Sequence, residues 1–293
     1  MSKWDGKSKG SVLGYQIFVF LIRTFGVRVA YFILYFVATY YFLFLKKSNR
    51  VMFYYFHKRL GYSNMKARKM VFKNYFAFGQ TLIDKTAIAS GMREKFTYEF
   101  DGIETLQKLL AEKKGGVLIS AHIGNFEIAE HFFGEIDLDF QINLVTTDLE
   151  HSAIKNYLES ITKKSTIKFI IIRDDLSHIF EINAALARNE LVCFTGDRYF
   201  EGVKSLSEEL LGEQAKFPSG PFLIASRLKV PVVFVYVMKE PKLHYHLYAR
   251  EAEVKHRDEK GLLKEYTQSL ESMLEKYPLQ WFNYFDFWNK LQR

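Results

Sequence analysis

The chain is predicted to fold as an α/β protein: a single catalytic domain with a mostly parallel central sheet flanked by helices, preceded by an N-terminal hydrophobic membrane segment. Three observations carry that prediction. Beyond residue 95, short apolar runs alternate with stretches of helical periodicity, the pattern of parallel strands joined by crossover helices. Residues 12–45 are apolar almost throughout. With five prolines in 293 residues and no repeat or low-complexity tract, nothing after residue 95 reads as a linker, so residues 96–293 are expected to form one compact unit.

The elements follow in order. Residues 12–45 carry only Arg23 and Arg28 as charges, and the uncharged stretch 29–45 covers 17 residues, the short end of a spanning helix. A removable signal peptide is not expected, because Lys46 and Lys47 follow the apolar run instead of a small-residue cleavage site. Two readings stay open, a single span and an in-plane aromatic hairpin, and both make residues 1–50 a membrane anchor. Residues 51–95 form a basic amphipathic helical region. Over 64–89, Met70, Val71, Tyr75, Phe78, Leu82 and Ile83 recur at helical spacing with basic residues between them.

The net charge of +8 gathers just after the anchor, in Lys46, Lys47, Arg50, Lys58, Arg59, Lys66, Arg68, Lys69 and Lys73. By the positive-inside rule the catalytic domain is expected on the cytoplasmic side of the membrane. A stripe placed directly after a membrane segment, without a nucleic-acid-binding module, fits an anionic membrane surface or an acidic carrier protein as partner. No nucleic acid is expected.

Strands are predicted over 116–121, 140–146, 167–172, 191–195 and 230–237, and helices over 102–113, 125–133, 151–164, 176–188, 219–228 and 259–276. Residues 244–249 alternate at period two and read as an edge strand whose two histidines are solvated, not metal ligands. The sole cysteine, Cys193, lies in an apolar run; it excludes an internal disulfide and reads as a buried structural residue.

The most telling stretch is His122-Ile-Gly-Asn-Phe-Glu127, between an apolar strand and a helical pattern. The strand delivers His122 to the sheet's edge, Gly124 permits a tight reversal, Asn125 is a candidate N-cap, and Glu127 falls in the first helical turn, where the dipole favours its ionised form. A histidine oriented by a carboxylate can take the proton of an alcohol as that alcohol attacks an acyl carbon, with no nucleophilic protein side chain. Arg173 and Asp197 also follow apolar strands, at the carboxyl ends where open α/β sheets place their sites. Arg173 is a candidate for holding a phosphate or carboxylate, or a developing oxyanion; an ion pair with Asp174, Asp175 or Glu181 is the plainer alternative. In Phe217-Pro-Ser-Gly-Pro221, Ser219 is placed to cap a helix and Gly220 to let backbone N–H groups approach an anion or thioester oxygen. Asp174-Asp175 lack further ligands, and the proposed chemistry needs no metal.

These blocks, taken in order, resemble the lipid A late acyltransferases, the lauroyl and myristoyl transferases within the wider lysophospholipid acyltransferases. The resemblance runs from the apolar N-terminus through Ala67 to Phe76, the His122/Glu127 block, Ile172-Arg-Asp-Asp-Leu176 and Gly196-Asp-Arg198, to Phe217-Pro-Ser-Gly-Pro221 and Val230-Pro-Val-Val-Phe234. It implies an O-acyltransferase with His122 as general base and Glu127 as its partner. Asn125, Arg173, Asp197, Arg198, Ser219 and Gly220 would bind substrate or support the oxyanion. The implied donor is an acyl carrier protein thioester, or acyl-CoA, acting as co-substrate with no other cofactor, and the acceptor is a membrane lipid hydroxyl, a lipid A precursor in that family. The C-terminus departs from the pattern: Gln280-Trp-Phe-Asn-Tyr-Phe-Asp-Phe-Trp288 stands where the family carries Trp followed by basic residues, which leaves a hydroxyacyl aminolipid or a pigment-like or polyene lipid open as acceptor. A hydrolase using the same pair on water, and a non-catalytic membrane scaffold, are the rival readings. With 17% aromatic residues, 28 of them Phe and 18 Tyr, some rings are expected to contact lipid or line an acyl pocket, with Phe126, Phe132 and Phe133 as candidates.

Overall fold

The computed structural model describes residues 12–133, 140–146, 167–173, 175–199 and 203–291; the helix predicted over 151–164 and Asp174 lie outside them. Two apolar helices open the chain, α1 (Val12–Phe25) and α2 (Val27–Phe44), separated at Gly26, whose φ of +83° a residue with a Cβ rarely takes. In α2 the buried residues Val27, Ala30, Leu34 and Ala38 form one stripe, while Phe32, Phe36, Tyr40, Leu43 and Phe44 stay exposed. This helix is long and apolar enough to cross a membrane. After α3 (Lys46–Tyr54), the amphipathic pattern becomes α4 (Asn64–Ala87), capped by the Ser63 hydroxyl, which accepts the Lys66 N–H at 3.4 Å. Buried Val71, Tyr75, Thr81 and Ile83 mark its packed face. Gly79 is where α2 approaches, since a Cβ there would stand 2.2 Å from Leu34.

The strands are β1 (Thr97–Asp101), β2 (Gly116–Ser120), β3 (Ile142–Thr146), β4 (Lys168–Ile171), β5 (Leu191–Thr195), β6 (Ser205–Leu210), β7 (Glu213–Pro218), β8 (Val232–Glu240) and β9 (His244–Glu251). Seven form a sheet in the order β1-β9-β8-β2-β5-β3-β4, parallel at every pairing except β8 with β9. Helices α5 (Ile103–Ala111), α6 (Glu130–Phe133), α7 (Ser177–Ala187), α8 (Ser219–Arg227) and α9 (Glu259–Lys276) connect and cover the strands. Every residue of β2 is buried, as a central parallel strand covered on both faces requires. Val117 and Ile119 join Val192, Phe194, Val232 and Phe234 under Tyr266 and Leu270 of α9. Leu118 joins Leu191, Cys193 and Val233 on the other face, with Leu106 and Leu109 of α5 and Ile128.

Two expectations are corrected. Residues 244–249 lie in β9, which is not an edge strand: β1 adds in parallel on its far side. Its histidines are held within the sheet, His244 by the Thr97 hydroxyl at 2.8 Å and His246 by stacking on Tyr248 at 4.2 Å. The β6–β7 hairpin was not predicted. It turns at Leu211-Gly212, both at positive φ, and its strands hold too few β-branched residues for the sequence to announce them.

Candidate active site

Strand register assembles the site. Ser120 of β2 pairs with Thr195 of β5, and each chain runs two residues further, so His122 and Asp197 leave the carboxyl edge side by side. The Asp197 carboxylate is fully buried, and three N–H groups converge on it: His122 Nδ1 at 2.7 Å, the His122 backbone N–H at 3.1 Å and Trp281 Nε1 at 3.4 Å. A carboxylate only accepts, so the imidazole proton is fixed on Nδ1 and the Nε2 lone pair is left for a substrate proton. Burial lowers the pKa of His122 from its ordinary value, and the Arg198 cation adds to the lowering against the pull of Asp197 and Glu127. Burial alone would raise the Asp197 carboxyl; attraction and hydrogen bonding to His122, with Arg198, hold it below the usual carboxylate range.

The loop after His122 is pinned by backbone. The His122 carbonyl accepts Phe282 N–H at 3.0 Å, Gly124 N–H reaches the Gln280 carbonyl at 2.9 Å and Asn125 N–H the Val237 carbonyl at 2.7 Å. Gly124 sits at φ +63°, and a Cβ there would lie 2.1 Å from the Val237 oxygen, so the tight reversal expected of this glycine is an absolute steric demand. Asn125 does not cap the following turn. Its amide donates to the Thr81 carbonyl of α4 at 3.0 Å and to the Tyr245 hydroxyl at 3.4 Å, which ties the loop to the N-terminal helices.

Glu127 falls in a 3-10 turn (Phe126–Ile128) that leads into α6. The partner fixing the imidazole is therefore Asp197 instead of Glu127, and the Glu127 carboxylate is ion-paired with Lys85. Burial would raise its pKa, but Lys85 by attraction and hydrogen bond, then His122, carry it below the ordinary value. One residue before Lys85, the fully buried Asp84 accepts from Lys239 Nζ and from the Tyr245 hydroxyl, each at 2.6 Å, and from the Tyr31 hydroxyl. Arg198, next to Asp197, donates to the Phe282 carbonyl at 2.6 Å.

The other predicted residues lie apart. Arg173 follows β4, three strands from β2 or roughly 14 Å across the sheet, and its exposed guanidinium pairs with Glu181 at 2.9 Å. That is the plainer alternative raised for it, and direct support of an oxyanion at His122 is not what this position offers. Ser219 does not cap α8, whose N-cap is Pro218; its backbone N–H meets the Lys204 carbonyl, and neither it nor the exposed Gly220 is hydrogen-bonded to His122 or Glu127. Cys193 is buried, its thiol pushed up to about 12, which removes it as a nucleophile. Phe126 lines a narrow apolar cavity of about 50 Å³ with Ala129, Leu144, Cys193 and Val237, whereas Phe132 is sealed among Tyr98, Tyr245 and Arg93.

Sequence reasoning missed Lys85 and Trp281. Nothing local marks Lys85, 42 residues before its partner; Trp281 stood in the divergent C-terminal stretch, where nothing announced that its indole N–H reaches Asp197. The arrangement is a buffered, oriented base at the carboxyl edge of a parallel sheet, on a chain with an exposed apolar helix. Compared with curated proteins one by one, the chain finds no match. The sequence model of the bacterial lipid A biosynthesis acyltransferases, however, matches residues 9–289, nearly the whole chain, and the protein therefore belongs to that family of membrane-associated acyltransferases.

Proposed function

We propose that the protein moves a fatty acyl chain from an acyl carrier protein thioester to a hydroxyl of a lipid A precursor, with His122 as general base. The observation that carries this reading is the His122 Nδ1–Asp197 bond, which leaves Nε2 as an acceptor in a partly exposed imidazole whose pKa burial and Arg198 depress. Nε2 takes the proton of the acceptor hydroxyl as its oxygen attacks the thioester carbonyl; the tetrahedral oxyanion collapses, the C–S bond breaks, and the thiolate leaves with the proton returned by His122. Arg198, close enough to depress the imidazole, is the cation placed to favour the oxyanion. The thioester supplies the activated acyl group, so no further cofactor enters. Phe126 and the cavity behind it are the place for the first carbons of the acyl chain.

The exposed cations Lys46, Lys47, Arg50, Lys58, Lys66, Arg68, Lys69 and Lys73 suit an anionic leaflet and an acidic carrier, which supports the reading that the sheet lies on the cytoplasmic side of the inner membrane. Arg173, exposed on the carboxyl edge, is a further contact for an anionic substrate group. Lipid mass spectrometry on cells lacking the protein, complemented with the wild type or His122→Ala, tests the reading. A lipid A species that gains one acyl mass only with the wild type is the expected result. A gain on another lipid class reassigns the acceptor, and identical lipids in the two strains reject acyl transfer to a cellular lipid.

A further inference from the structure

Two side chains of the loop after His122 reach helix α4. Asn125 bonds the Thr81 carbonyl and Glu127 pairs with Lys85, so a step of two on the loop matches a step of four along one face of the helix. Both members of the ion pair are partly exposed, the Lys85 and Glu127 side chains at 37% and 39%. The helix is not free to slide. Asp84, the preceding residue, is bound by Lys239 of β8 and Tyr245 of β9, so the sheet that carries the site also sets where Lys85 stands.

We propose, on the acyl-transfer reading above, that Lys85 is a positioning residue of the reaction: its ammonium clamps the Glu127 carboxylate beside His122, which makes the membrane-proximal helix α4 part of the active site. The groups bearing on Glu127 are Lys85 from α4 and His122 from its own loop, with Asp197 and Arg198 acting through His122. Without the ammonium, only His122 opposes the effect of burial on the Glu127 carboxyl, its protonated form gains, and the negative charge that steadies the imidazolium during proton transfer is diminished.

The test uses the full-length protein in membrane vesicles with dodecanoyl-acyl carrier protein and a lipid A precursor bearing a free hydroxyl. Lys85→Met is expected to lower kcat about 10- to 100-fold, with a smaller change in KM, and to move the acid limb of kcat/KM to lower pH, because a protonated Glu127 no longer raises the pKa of His122. Lys85→Arg should restore most of the rate, and Lys85→Met combined with Glu127→Gln should be no slower than Glu127→Gln alone. A Lys85→Met enzyme with the wild-type rate and pH profile overturns the clamp, as does a double variant whose losses multiply. Wild-type vesicles that transfer no more than His122→Ala vesicles overturn the acyl-transfer reading, a result distinct from a silent Lys85.

Discussion

Asp197 decides what His122 can do. Its two oxygens accept from the imidazole, the His122 backbone and Trp281, and all three contacts are donor to acceptor. Asp197→Asn keeps the volume but turns one oxygen into a donor, which drives the imidazole proton toward Nε2 and removes the lone pair that the proposed reaction uses. The expected outcome is a fall in kcat of roughly 10²- to 10⁴-fold with the fold retained, read by transfer assay beside circular dichroism. The wild-type pH profile follows with its sign. The base must be neutral, and burial with Arg198 lowers its pKa, so kcat/KM should reach half its plateau below the ordinary imidazole value of 6.5. An acid limb above that value would contradict the assignment.

Helix α4 is more than a spacer before the sheet. Asp84 and Lys239 are 0% and 10% exposed and joined at 2.6 Å, with two tyrosine hydroxyls completing the aspartate's bonds. Removing one partner leaves a buried charge, so Asp84→Leu or Lys239→Met alone should destabilise by about 3–5 kcal/mol, while the two together should recover much of the loss. Chemical unfolding in detergent measures it; a double variant as unstable as the sum of the singles would show that the pair is not coupled. The helical period of α4 was plain in the sequence, and so were the strands flanking the site. Strand β1 was not, because Thr97-Tyr-Glu-Phe-Asp101 is half exposed throughout and gains its place only by pairing with β9. Glu127 was legible in the sequence beside His122, but its ion pair was not: the fold supplied Lys85.

The N-terminal helices are packed into the protein and are more than an apolar appendage. One stripe of α2 packs on α4, Leu34 fills the space over Gly79 and Tyr31 reaches Asp84, while the remaining aromatics stay exposed. Deleting residues 1–45 is thus expected to give a chain that aggregates and transfers nothing, since it bares the packed face of α4 and strips a partner from Asp84. Size-exclusion chromatography and the transfer assay check this; a monomeric, fully active fragment would reduce α1 and α2 to a simple tether.

Periodicity and charge are local quantities, so the chain's order of residues was enough to establish the α/β class, the apolar anchor with its basic border, and the placing of His122, Arg173 and Asp197 at carboxyl ends of strands. Which of those three meet is a matter of strand order and register, and only the folded sheet, with β5 beside β2 and β4 two places beyond, brings Asp197 to His122 and leaves Arg173 apart. The pairing of Glu127 with Lys85 and of Asp197 with Trp281 belongs to the same class of fact, for these contacts span 42 and 84 residues and form only where packing delivers the partners.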